Sequence, residues 1–173
     1  MKGESMAVAV LIAPYFEDSE LIYPYYRLQE AGHRVLLVGP SVEEYRGKNG
    51  VPMRADVAAS DVSPESLQGV VIPGGYSPDH MRRHPDMVDL VRKVGAMGRP
   101  VAAICHAGWM LVSAGLASGR RLTSYFSIRD DMENAGAEWV DAEVVVDGNV
   151  ITARHPGDLP AFMREVIRAL QGG

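Results

Sequence analysis

Cysteine is nearly absent from this sequence: 173 residues hold one, Cys105. A single thiol cannot close an internal disulfide, which suits a reducing compartment and leaves Cys105 as either a buried packing residue or a reactive group. Long apolar runs are missing too. The N-terminal run Ala7 to Ala13 is far shorter than the roughly 20 residues a membrane helix needs, and it lacks the basic flank and cleavage pattern of a signal peptide. A cytoplasmic protein without a membrane partner is expected. There is no excess of basic charge: the net charge is −5, and the clusters "MRRH" and "GRR" are isolated among acids, which argues against a nucleic-acid partner. Neither the GxGxxG nor the GxxxxGK[ST] phosphate-binding pattern occurs, so no cofactor is expected. Internal repeats and low-complexity linkers are also lacking, and one domain over residues 1–173 is expected, with residues 1–5 an irregular start.

What is present reads as a folded α/β chain. Hydrophobic residues make up 47% and charged residues 23%, which excludes a disordered chain. Four apolar runs of strand length, 7–13, 33–39, 69–75 and 99–105, have the continuous character of strands buried on both faces. Helical spacing fills 17–32, 86–97, 106–115, 127–136 and 158–170, with Asp158 placed as an N-cap for the last. "KNG" at 48–50 and "DGN" at 147–149 predict hairpin turns. The alternation implies a mostly parallel sheet covered by helices on both faces, in which ligands bind beyond the carboxyl ends of the strands. Glu17, Gly74, Gly75 and Cys105 all fall at such ends.

Cys105 stands at the corner between a strand and a helix, in "AICHA". A sharp turn that exposes a nucleophile demands small neighbours two residues to either side, and Ala103 and Ala107 supply them. A thiol at a helix start also sees unpaired amides, which favour thiolate and lower its pKa. Pro73-Gly74-Gly75 ends another strand; its two glycines let backbone amides approach a developing oxyanion. By position alone Glu17, Asp18 and Glu20 read as acids of a first helical turn. His106 adjoins the thiol, although neighbours at a sharp turn usually point apart, and His155 in "RHPGD" is within reach of the same edge. His80 and His84 have helical ligand spacing but no third ligand, so no metal site is expected.

With "FEDSELIYPYYRL", "VIPGG", "AAICHAGWML", "TSYFSIRDDMENAGAEW" and "RHPGDL" in that order, the chain resembles the PfpI branch of the ThiJ/PfpI superfamily from about Met6 to Leu170. The resemblance implies a flavodoxin-like three-layer sandwich with the site at the interface of homodimers, commonly assembled into hexamers. It implies Cys105 as nucleophile, His106 as its partner, and Glu17 hydrogen-bonded to the thiol. An acid after the PGG turn reaches the histidine of a neighbouring subunit in that family; here the position holds Asp79 instead of the usual glutamate. Gly74, Gly75 and the amide after the cysteine would form the oxyanion hole, and Tyr125 would be the pocket tyrosine.

The activity the resemblance implies is stress protection, acting on methylglyoxal or on its early adducts with protein or nucleotide groups. An intracellular cysteine peptidase, a non-enzymatic redox sensor or holdase, and a glutamine amidotransferase-like hydrolase are the alternatives. The last would rest on "HPGD", where glycine replaces the glutamate of that triad.

Overall fold

The computed structural model describes residues 5–172; within the irregular start expected for 1–5, residues 1–4 lie outside it and Ser5 belongs to no regular element. In chain order the elements are β1 (Ala7–Leu11), α1 (Asp18–Glu30), β2 (Arg34–Gly39), β3 (Glu44–Arg46), β4 (Pro52–Arg54), β5 (Val57–Ala58), β6 (Leu67–Ile72), α2 (Ser77–Met81) and α3 (Pro85–Ala96). There follow β7 (Val101–Ile104), α4 (Gly108–Ser113), β8 (Arg121–Leu122), α5 (Arg129–Asn134), β9 (Glu138–Trp139), β10 (Val145–Asp147), β11 (Val150–Ala153) and α6 (Leu159–Leu170).

Seven strands make the central sheet in the order β10-β11-β7-β6-β1-β2-β5, parallel throughout except for the β10–β11 pair. Side chains on a strand alternate between faces, and here both faces are apolar. Ala7, Ala9 and Leu11 of β1 pack with α3 and α4, through Met87, Val91, Met110 and Leu111. Val8 and Val10 pack on the other side with α1 and α6, through Leu21, Leu28, Phe162 and Val166. That two-sided burial is why the strands read as unbroken apolar runs, and it makes the flavodoxin-like three-layer sandwich. None of the described helices is long and apolar enough to cross a membrane.

Both expected hairpins form: β3 pairs antiparallel with β4 around residues 47–51, and β10 with β11 around Gly148, whose φ is 57°. One local expectation needs correction. Asp158 precedes α6 but caps nothing; its carboxylate accepts from the Arg154 backbone N–H at 3.0 Å and from the Arg154 guanidinium at 2.9 and 3.0 Å. A charge-assisted pair with a guanidinium outweighs a neutral cap bond.

β7, β6 and β1 are neighbours in the sheet. The loops leaving their carboxyl ends, carrying Cys105, Gly74-Gly75 and Glu17, are therefore brought side by side.

Candidate active site

Cys105 has φ 63°, one of two non-glycine residues among those described in the left-handed region. A side chain there costs of order 1 kcal/mol or more and persists only where the surroundings impose it. Buried Ala103 and Ala107 crowd the corner from either side. The chain then passes through a 3-10 turn, Cys105–Ala107, into α4.

The corner turns the sulfur toward its own neighbour: Sγ lies 3.3 Å from His106 Nδ1. The two side chains do not point apart, contrary to the usual behaviour of adjacent residues. His106 is stacked on Tyr125, with ring centroids 4.9 Å apart and an interplanar angle of 28°, and its Nε2 lies 3.3 Å from Ser127 Oγ. Burial, with Lys48 adding to it, pushes the His106 pKa below its ordinary value. His106 is thus a neutral imidazole at pH 7, able to receive the thiol proton on Nδ1.

The carboxyl that accompanies the thiol is Glu20, where the resemblance implied Glu17. Glu20 is fully buried; its Oε1 accepts from the Gly74 N–H at 2.9 Å, and its Oε2 has no nitrogen or oxygen partner. Burial raises its pKa from 4.5 to about 8, and the Cys105 thiol lies beside it. Glu17, the residue just before α1, turns instead to Lys48, with Oε2 2.5 Å from Nζ. The reason is helical register: Glu20, Pro24 and Leu28 recur at four-residue spacing and are all buried against the sheet.

Two corrections concern the backbone donors and the thiol. The Gly74 N–H is taken by Glu20, so the amides that face the sulfur are those of Gly75 and His106. The thiol pKa is pushed up to about 12 within the single chain, by burial first and then by the negative charge of Glu20. Those two amides and Lys48 pull in the opposite direction and do not prevail. A helix of six residues has too little aligned dipole to offset desolvation at a cysteine 8% exposed.

Gly74 is required by close approach. A Cβ there would stand 2.6 Å from Glu20 Oε1 and 2.7 Å from Cys105 Cβ. Gly74→Ala is expected to lower the melting temperature by roughly 3–10 °C, as overpacking of a core does, and to slow alkylation of Cys105. Calorimetry and timed labelling check both.

These groups line a cleft of about 510 Å³, bounded by Glu17, Glu20, Lys48, Gly75, Tyr76, Cys105, His106, Tyr125 and Pro156. His155 is not among its walls. Its Nδ1 accepts from the Gly157 N–H at 3.1 Å, which turns the ring toward the turn before α6, while its neighbour Pro156 closes the rim. Asp79 lies on α2, exposed and paired with Arg83 at 2.5 Å. Sequence reasoning missed Lys48 altogether, since nothing in "GKNG" shows which loop the hairpin meets.

Sheet, elbow and cleft together define the class: an α/β sandwich that presents a cysteine at a strand-to-helix elbow, on the carboxyl edge of its sheet. The chain belongs to the DJ-1/PfpI family, whose model matches residues 6–169. It is 47% identical over 166 residues to the deglycase PfpI of Pyrococcus furiosus, covering 96% of this chain and all of that one. It is 41% identical over 171 residues to protein/nucleic acid deglycase 2 of Escherichia coli, covering 96% and 98% of the two chains. Among solved structures, Drosophila melanogaster DJ-1beta superposes with a TM-score of 0.90 at 33% identity, over 98% of this chain and 92% of that one.

Proposed function

We propose that this protein is a cysteine-dependent deglycase, acting on the early adducts that methylglyoxal forms with protein or nucleotide groups and on methylglyoxal itself. The observation that carries the reading is the Cys105 sulfur, held at positive φ between His106 Nδ1, the buried Glu20 carboxyl and the amides of Gly75 and His106. The relatives named as deglycases support it. A cleft of about 510 Å³ suits a small ligand, whereas a peptidase needs a groove that orders an extended chain.

The chemistry follows from the geometry. Sγ gives its proton to His106 Nδ1 and adds to the aldehyde carbon, and the new oxyanion meets the Gly75 and His106 N–H groups. A proton then leaves that carbon and another is delivered to the adjacent carbonyl carbon, with Glu20 as relay. The first carbon is oxidised and the second reduced within one molecule, so no external oxidant takes part. Water cleaves the resulting thioester, releasing lactate and the Cys105 thiol. Starting from an adduct, the protein or nucleotide group departs as the sulfur takes its place.

The test is lactate release from methylglyoxal-treated N-acetylarginine, and from methylglyoxal without glutathione, both in amine-free buffer. The purified protein is expected to release lactate from both. Release from neither rejects the reading.

Self-association belongs to the same proposal. Within one chain His106 Nε2 meets Ser127 and Asp79 meets Arg83, and in the proposed assembly it is Asp79 of the neighbouring subunit that approaches His106. Asp79→Asn is expected to lower kcat about tenfold without changing the assembled mass by light scattering; unchanged kcat removes Asp79 from the site. A lone reduced thiol suits the cytoplasm, where such adducts on intracellular protein arise.

A further inference from the structure

The hairpin β3–β4 is not part of the sheet, yet its tip is fastened to the loop that leaves β1. Tyr15 N–H donates to the Arg46 carbonyl at 2.8 Å, and Lys48 N–H donates to the Phe16 carbonyl at 2.9 Å. The same loop is bound on its other side to the PGG turn: Glu17 N–H donates to the Gly74 carbonyl at 3.2 Å, and Tyr76 N–H to the Tyr15 carbonyl at 2.9 Å. Asp18, almost wholly buried, clamps the hairpin tip. Its Oδ1 accepts from Asn49 N–H and its Oδ2 from Val51 N–H, each at 3.0 Å. Gly47 permits this, since a Cβ there would run into the Asp18 carboxylate. A buried carboxylate spent on two hairpin amides is an expensive way to hold a surface turn. What the turn carries explains it: Lys48 is the one cation lining the cleft among the described residues.

We propose that Lys48 is a positioning residue for the nucleophile, a fixed positive charge that the hairpin brings into the cleft to ease the loss of the Cys105 proton. The proposal rests on the deglycase reading for its use, though its test does not need turnover. The charged and titratable groups around the sulfur are Glu20 and Glu17 from α1 and the turn before it, His106 beside it, Tyr125 behind His106, Tyr76 at the rim, and Lys48 from the hairpin. Glu20 and Glu17 are negative when ionised and oppose the thiolate; His106 is neutral. Lys48 alone favours it, and its field reaches Cys105, Glu20 and His106. Glu17 keeps the ammonium charged and aimed, at 2.5 Å. A charge that shares the cleft with the thiol, partly screened by its own counter-ion, is expected to shift it by about one pH unit, which is about tenfold in thiolate.

The readout is the pH profile of Cys105 alkylation by iodoacetamide, an uncharged reagent, followed by intact mass; with one cysteine in the chain the signal is unambiguous. Lys48→Met is expected to slow alkylation at pH 8 about tenfold and to move the profile about one unit toward alkaline pH. Lys48→Arg is expected to restore most of it. Asp18→Asn, which keeps Lys48 but loosens the clamp, is expected to give a smaller shift in the same direction. A Lys48→Met profile that superimposes on that of the unaltered protein overturns the proposal. So does a shift that Lys48→Arg fails to repair, because the effect would then be packing and not charge. Melting curves of each variant identify any that fails to fold; should Lys48→Met fail, Lys48→Gln, which also removes the charge, is read in its place by the same criteria. If lactate release is absent in the unaltered protein, the deglycase reading fails while the alkylation profile still judges Lys48.

Discussion

Cys105→Ser is expected to lower lactate release from a methylglyoxal adduct by about a thousandfold or more while leaving the fold intact. The hydroxyl fits the space of the thiol and keeps the Gly75 and His106 amides in place, so melting should move by no more than a few degrees. On the proposed mechanism what is lost is the nucleophile: an alcohol is far harder to ionise than a thiol, and neutral His106 at 3.3 Å is too weak a base to compensate. Substrate affinity, measured by titration of a non-reactive analogue, should hardly change, because the cleft walls are the same. A fall in affinity with kcat preserved would place Cys105 in binding and take the chemistry elsewhere.

Glu20→Gln is expected to separate stability from activity. The carboxyl is buried, and its pKa rises from 4.5 to about 8, so the folded state holds a proton that the unfolded chain gives up near pH 4.5. A group raised in this way contributes fully below about pH 4.5, and the contribution drains away as pH climbs toward 8. At about 1.4 kcal/mol per tenfold, the loss is on the order of 4 kcal/mol by pH 8. Glutamine keeps the oxygen that accepts from Gly74 N–H and has no proton to lose. The variant should therefore melt higher than the unaltered protein at pH 8 and match it closely near pH 4.5. Its turnover should fall about a hundredfold, since the proton relay is gone. Equal melting temperatures at pH 8 would show that Glu20 is not held protonated.

Much of the fold was legible because burial on both faces writes strands as unbroken apolar runs, as in Val8–Leu11 and Val101–Ile104. The two-residue strands β5, β8 and β9 left no such trace; they exist because the chain passes a neighbour with amides to satisfy. At the site, the elbow was legible from the alanines around Cys105, which are a local steric demand. The division of labour between Glu17 and Glu20 was harder to read, although the four-residue spacing of Glu20 with Pro24 and Leu28 was there to find. Gly74 reads as an oxyanion-hole donor because sequence shows which amides are near but not which are already occupied. The direction of the thiol pKa is hidden for a related reason: a helix start is visible in sequence, whereas burial and a facing carboxyl are not. Lys48 lay out of reach entirely, since it meets Glu17 across 31 positions through a hairpin whose docking nothing local specifies.

The account turns on a single sulfur, and the chain's one cysteine allows a direct measurement. Protein alkylated to graded extents with iodoacetamide, quantified by intact mass, is assayed for lactate release from the same adduct. Activity should fall in proportion to the fraction of Cys105 modified and reach background when modification is complete. Fully alkylated protein that still turns over would contradict the assignment of the chemistry to this elbow.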